Sequence, residues 1–449
     1  MSYWCELAWL PPGEVTAGVL VRIADSRIAD VVPGTATPPA DAVRLGGLTL
    51  PGLANTHSHA FHRALRGTAQ WEKGSFWTWR EQMYGVAGRL DPDSHLRLAT
   101  AVFAEMALAG ITCVGEFHYL HHTPGGGPYD DPNAMGHALV QAAREAGLRI
   151  ALLDACYLSG GIGVPLTGTQ LRFGDGDVER WAVRVEKLLN AYRGMRDVEI
   201  GAAIHSVRAV PAEQMPMIGA FSHHHAVPLH VHVSEQRAEN AACVEVYAAS
   251  PVQLLNEHDI LGPRTTAVHA IHLSDVDIAL LGQSRTHVCT CPTTERDLAD
   301  GVGPVRALFE AGSPITLGSD SNAVIDLLEE ARAVELDGRL LSEQRGLWTA
   351  AELLQAAGAD GHASLGFADA GMLVPGAWAD LVSVRLDSVR TAGGSRAGAA
   401  EVTVFTATAA DVHSVVSGGR RVVEEGRHIL GDVGAMLGAA IAGARGGHV

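Results

Sequence analysis

Between residues 47 and 321 the chain keeps switching between two hydrophobic periods. Short apolar runs rich in β-branched residues recur as GLTLPGLANTHSH, ITCVGEFHY, RIALLDACYL, EIGAAIHSV, PLHVHVSE, TTAVHAIH, HVCTCP and PITLGSDS. Stretches with helical spacing lie between them, among them DSHLRLATAVFAEMALAG and DPNAMGHALVQAAREAG. The first starts at an Asp and ends at Gly110, the second ends at Gly147, and these are helix start and stop signals in the order a helix needs. Eight strands in strict alternation with helices predict an α/β fold, a (β/α)8 TIM-like barrel, assigned to residues 50–372. The flanks read differently. Residues 3–10 and 14–32 alternate as short strands with Pro and Gly turns, and PGAWADLVSVRL, EVTVFTA and VHSVVSGGRRVVEEGR read as strands near the other end. Residues 1–49 and 373–449 are therefore expected to meet as one small β-sandwich domain. SVRTAGGSRAGAAE reads as an exposed loop and GAMLGAAIAGARGGHV as a final helix. There is no internal repeat.

With 449 residues, 47% of them apolar, the chain can bury a sizeable core and is long enough for more than one unit. Its 33 Lys+Arg against 50 Asp+Glu leave a formal charge of −17. Such a surface repels nucleic acid and anionic membranes, and an anionic substrate needs cations supplied by the site itself. The six cysteines, Cys5, Cys113, Cys156, Cys243, Cys289 and Cys291, contain no CxxC pair, which suits reduced thiols in a cytoplasmic protein. MSYWCELAWLPPGE has neither a basic start nor a long apolar run, so neither a signal peptide nor a membrane span is expected.

PGLANTHSHAFHRALRG places His57, His59 and His62 together. With 22 histidines in 449 residues, chance alone gives about one His-x-His pair, and the chain has three, so the bare pattern says little. Position says more. His57 and His59 close the first barrel strand, where side chains two apart share a face and where barrel active sites lie. His230 and His232 close the fifth strand, His269 the sixth, and Asp320 the eighth. Imidazoles with one carboxylate at one mouth suit zinc or another first-row divalent ion. Glu235 follows His232 by three residues, where a carboxylate can move protons. Arg208 lies just past the fourth strand and offers bidentate geometry to a carboxylate. His223, His224 and His225 read as solvated residues of a connection, His121 and His122 as loop residues, Cys289 and Cys291 as small packing residues, and Trp77 and Trp79 as core. His118 and Tyr119 must point to opposite sides of the second strand.

Taken together, His-x-His (His57, His59), His232 with Glu235, His269 and Asp320 resemble the amidohydrolase superfamily, whose barrel carries a metal and whose β domain uses both chain ends. Within it, HSHAFHRALRG, SFWTWREQMY, EFHYLHH, IHSVRAV, HVHVSEQ, AVHAIHL, CPTTERDLADG and GSDSNA look like the formimidoylglutamate deiminases. That resemblance implies zinc-dependent hydrolysis of N-formimino-L-glutamate, a small dianion, to N-formyl-L-glutamate and ammonia in histidine degradation. It implies one zinc per subunit on His57, His59, His232 and Asp320, and a homodimer. Glu235, His269 and Asp320 would serve the chemistry; Arg80, Tyr119, His205 and Arg208 would hold the substrate. His62 stands where that family often has Gln, at a substrate-facing position, so the substrate is less firmly implied than the reaction class. The competing reading is a deaminase or chlorohydrolase of a purine, pyrimidine or triazine ring. Such a flat substrate calls for stacking aromatics, and aromatic residues are only 5% of this chain.

Overall fold

The computed structural model describes residues 1–68 and 76–446, with the side chains of Phe76 and Trp77 outside that description. Two sheets of eight strands organise the chain. The barrel sheet runs, in sequence order, through Leu53–Ser58, Ile111–His118, Arg149–Cys156, Val198–Ser206, Leu229–Val233, Thr265–His269, His287–Thr290 and Ile315–Leu317. Successive strands are parallel neighbours. Nearly every residue in them is buried, as a parallel sheet covered on both faces requires.

Local chemistry starts and stops the covering helices. Pro92–Leu108 begins at Asp91, whose carboxylate accepts from Ser94 N at 2.8 Å, with proline at the first helical position, and Gly110 follows its end at φ +89°. Ala134–Ala146 ends on Gly147 at φ +80°, the left-handed cap glycine adopts most readily.

The second sheet joins both chain ends. Ser2–Leu10, Glu14–Ala24, Arg27–Val32 and Val43–Pro51 meet Leu381–Val384, Val412–Ser417, Arg420–Glu424 and Arg427–His428 in one continuous ladder. The halves join where Val43–Pro51 pairs antiparallel with Leu381–Val384. Val43–Pro51 leads straight into the first barrel strand, so GLTLPGLANTHSH is divided between the two sheets. A buried ion pair pins them together: Arg149, which starts the third barrel strand, donates through Nη1 to Asp380 Oδ1 at 3.0 Å and through Nη2 to Oδ2. The chain closes in the helix Val433–Arg445.

One element differs from the sequence reading. EVTVFTA is not a strand but most of the helix Ala399–Thr406. A seven-residue apolar run carries no period that separates strand from buried helix. The tertiary setting decides: Thr403 and Thr406 donate to Ala399 O and Val402 O at 2.8 and 2.7 Å, and the buried face packs on Leu327–Ser342 and Ala350–Gln355. Among the described residues no helix is long and apolar enough to cross a membrane.

Candidate metal centre

Parallel barrel strands deliver their last residues to one mouth. His57 lies at the end of the first strand and His59 one residue beyond it; His232 is in the fifth, and Asp320 follows the short eighth strand. All four are buried. His57 Nε2 lies 3.0 Å from His232 Nε2 and 3.5 Å from Asp320 Oδ1, and His59 Nε2 lies 3.4 Å from the same oxygen. Atoms about 2.1 Å from a tetrahedral ion stand about 3.4 Å apart, so these spacings fit one small cation. The tautomers agree. His59 Nδ1 donates to Phe117 O at 2.9 Å and His232 Nδ1 to His205 O at 2.8 Å, which leaves both Nε2 atoms as lone-pair donors. Burial, then neighbouring imidazoles, holds the pKa of His59 and His232 far below the ordinary value, so both stay neutral as metal binding requires.

Asp320 divides its oxygens. Oδ1 faces the imidazoles, while Oδ2 lies 3.8 Å from His269 Nε2, which is also 3.8 Å from Glu235 Oε1. Behind the ring, Glu295 Oε1 takes His269 Nδ1 at 3.3 Å and Cys291 N at 2.8 Å, and Thr290 Oγ1 donates to Glu295 Oε2 at 3.1 Å. Burial opposes protonation of His269, but Glu235, Glu295 and Asp320 outweigh it and hold its pKa well above the ordinary value. Burial raises the Glu235 pKa despite the pull of His269 and Arg208. Glu295 sits in the first turn of the helix after the seventh strand. The sequence reading missed it, although the strand-end position that singled out Glu235 applies equally.

A pocket opens over this centre. Of the residues expected to hold substrate, His62, Arg80, Tyr119, His205 and Arg208 all line it, together with Trp79, Met83, Tyr84, Tyr157 and Phe173. Arg208 lies with Nε 3.6 Å from the buried Glu239 carboxylate, and its guanidinium makes no hydrogen bond to the described residues. Burial opposes its charge, but Glu239 and Glu235 outweigh that and raise its pKa. Arg80 stacks over Tyr84 at 5.6 Å. Gln170 Nε2 donates to Tyr84 Oη at 3.1 Å and to Tyr157 Oη at 3.4 Å, which fixes two hydroxyls beside the arginines. His62 packs against His59 at 4.5 Å between ring centroids, and its Nε2 meets Tyr119 Oη at 2.8 Å. Burial drives the His62 pKa down to about 3, so it is a neutral ring bound to a phenol.

Trp79 is half-buried and packs against the core as expected, and it also lines the pocket, 5.0 Å from His62 between ring centroids. The Trp77 side chain lies outside the described residues. Pocket aromatics also change the weight of the 5% chain average, because five of them meet at this one place. His230 points elsewhere, its Nε2 3.4 Å from Ser364 O. His223 and His224 are exposed and His225 half-buried at the end of the helix Met215–His225. His118, His121 and His122 are buried on the other side of the second strand. Cys289 and Cys291 touch at 4.0 Å between sulfurs, buried and unbridged.

A sequence model described as the amidohydrolase family matches residues 48–422. The chain belongs to the amidohydrolase family. Among its relatives, a formimidoylglutamate deiminase from Pseudomonas aeruginosa is 33% identical over 438 residues, covering 95% of each chain. An 8-oxoguanine deaminase from the same organism is 33% identical over 398 residues, covering 84% of each. Among solved structures, an amidohydrolase from Brucella melitensis superposes with a TM-score of 0.91 at 30% identity over 99% of both chains. The mouth described above is thus the mouth of an amidohydrolase barrel, with its donors at the strand ends.

Proposed function

We propose that this amidohydrolase deaminates N-formimino-L-glutamate hydrolytically, with one zinc ion held by His57, His59, His232 and Asp320. The observation that carries the substrate reading is Arg208. Its guanidinium reaches the same pocket as the imidazole cluster and makes no hydrogen bond to the described residues. A half-buried arginine that faces a pocket without such bonds suits a ligand carboxylate, which it can take bidentately. Arg80, on the pocket wall beside Tyr84, serves a second carboxylate. The relative named formimidoylglutamate deiminase, aligned over 95% of the chain, supports the same reading.

The chain's own groups divide the proton work. Asp320 Oδ2, on the His269 side, accepts a proton from the attacking water. His269, held by Glu295 with Nε2 toward the mouth, donates to the oxygen of the tetrahedral carbon. Glu235, its pKa raised by burial, passes a proton to the departing amine. A bound divalent ion supplies Lewis acidity and lowers the pKa of water. The aromatic walls limit bulk water at the reacting carbon.

A second reading, a purine-type ring as substrate, is favoured by the five pocket aromatics and by the equal identity to the 8-oxoguanine deaminase. Ammonia release by zinc-loaded protein separates the two. N-formimino-L-glutamate is expected to react and guanine, 8-oxoguanine and a neutral formimino-amine to remain untouched. Turnover of a ring with none of formimino-glutamate would overturn the proposal.

A further inference from the structure

The first and eighth barrel strands occupy opposite ends of the ladder. Among the described residues their backbone pairing is the isolated bridge between Ser58 and Asp320. Two backbone bonds make that bridge: Asp320 N donates to His57 O and His59 N to Asp320 O, each at 3.0 Å. Three of the four residues proposed to hold zinc, His57, His59 and Asp320, therefore sit at the seam with the fewest backbone pairs among the described residues.

A chain of buried side chains crosses this seam. Asn55 Nδ2 donates to Ser319 Oγ at 2.7 Å, and Ser319 Oγ to Asn322 Oδ1 at 2.6 Å. Asn322 Nδ2 donates to Ser58 Oγ at 3.1 Å and to His59 O at 3.0 Å. Ser58 Oγ donates to Glu116 Oε2 at 2.8 Å, and Ala60 N to Glu116 Oε1 at 2.7 Å. Every step has one donor and one acceptor, and His59 O can only accept, so the Asn322 amide has a single orientation. The residues flanking Asp320 explain why so much bonding gathers here. Asp320 and Asn322 hold left-handed φ of +42° and +56°, conformations that persist only where the surroundings impose them. At Gly318 a Cβ would lie 2.8 Å from His57 Cβ and 2.9 Å from Cys291 Sγ, so the seam closes only over glycine.

We infer that this chain is a lock that fixes the proposed metal ligands across the seam, with Asn322 as its central positioning residue. Among the described residues Asn322 does not line the pocket, and its side chain bonds Ser319, Ser58 and the His59 carbonyl rather than a proposed ligand atom. It holds the His59 carbonyl and, through Ser58 and Glu116, both sides of the His57–His59 turn. Its own turn carries Asp320. Loosening it would let the two halves of the ligand set drift apart, which lowers affinity for the ion without removing a ligand.

The test uses zinc alone, as competition against a fluorescent chelator, and rests on the metal reading above. Asn322→Ala is expected to weaken zinc binding about 10–100-fold, and Ser58→Ala by less. In both, the zinc-loaded melting temperature should fall further than the metal-free one. A merely structural role would lower both melting temperatures equally and leave zinc affinity within about twofold of the parent, and that result overturns the lock. If Asn322→Ala does not fold, unchanged zinc affinity in Ser58→Ala overturns it instead. A parent protein that takes up no zinc would overturn the metal reading and the lock together, whereas a zinc-binding parent with unaffected variants overturns the lock alone.

Discussion

Two histidine–aspartate clusters lie on opposite sides of the second barrel strand. At the mouth are His57, His59, His232 and Asp320. Behind the strand are His118, His121 and Asp154. The imidazole triad of the mouth and the rear cluster are each buried, with ligand-type atoms within 4.8 Å of one another. They differ in where the lone pairs go. In the rear cluster Asp154 accepts from Arg184 at 2.7 and 2.8 Å and from Trp181 Nε1 at 3.1 Å. His121 gives Nε2 to Ala155 O at 3.0 Å and meets His118 Nε2 at 3.2 Å through Nδ1. Arg184 also pairs with Asp175 at 2.8 Å. That cluster is a closed network around a fixed cation, which repels a second one. At the mouth the Nδ1 protons of His59 and His232 are tied outward to carbonyls, and the Nε2 atoms converge. Proximity of ligand-type residues does not make a metal site; direction of the unshared pairs does.

The sharpest way to break this comparison is to remove one donor from the mouth. His232→Ala is expected to carry almost no zinc and to lose turnover to background, and metal analysis of purified protein checks the first half. Full zinc in that variant would mean the mouth is not the site. Within the mouth, Glu235→Gln should keep its zinc while kcat falls about 10²–10⁴-fold. Near-parental turnover would remove the proton shuttle.

Cutting the rear cluster should do the reverse. Arg184→Met leaves Asp154 and Asp175 buried without their cation and should cost about 3–5 kcal/mol of unfolding free energy. Zinc per folded molecule should stay at the parental value. A loss of zinc with little loss of stability would exchange the roles of the two clusters. Arg208→Ala is expected to raise KM for N-formimino-L-glutamate by about 10–100-fold, the equivalent of about 1.5–3 kcal/mol for a bond to a charged group, with kcat less affected. An unchanged KM would remove the carboxylate clamp.

The smallest effect concerns His95, beside the rear cluster with its ring 6.4 Å from that of His118. Neither of its nitrogens has a hydrogen-bond partner among the described residues, and burial, with Arg172 nearby, lowers its pKa to about 3. Because the folded value lies below the unfolded one of about 6.5, the unfolded chain binds more protons through the pH range between them. Stability is full above about pH 6.5 and falls as pH drops, by about 2 kcal/mol from this group between pH 7 and 5. His95→Phe should leave stability at pH 7 within about 1 kcal/mol and shrink the loss on moving to pH 5. Urea unfolding at the two pH values measures both, and an unaltered loss would mean His95 does not titrate this way.

The period of the apolar runs determined the barrel, and barrel geometry determined which residues reach the mouth. His57, His59, His232, His269 and Asp320 were legible because each stands at a strand end, a property of a few consecutive residues. What the tertiary structure decided involves partners far apart in the chain. EVTVFTA became a helix because two other helices cover it. Glu295 acquired its place by meeting His269 from a different strand, and Trp79 by facing His62. His118 and Tyr119 differ by one position, and alternation alone could not say which faces in. The directions of the lone pairs depend on carbonyls such as Phe117 O and His205 O, and on an asparagine 264 residues from the serine it holds. A linear pattern records what each residue can donate or accept; only packing fixes toward what.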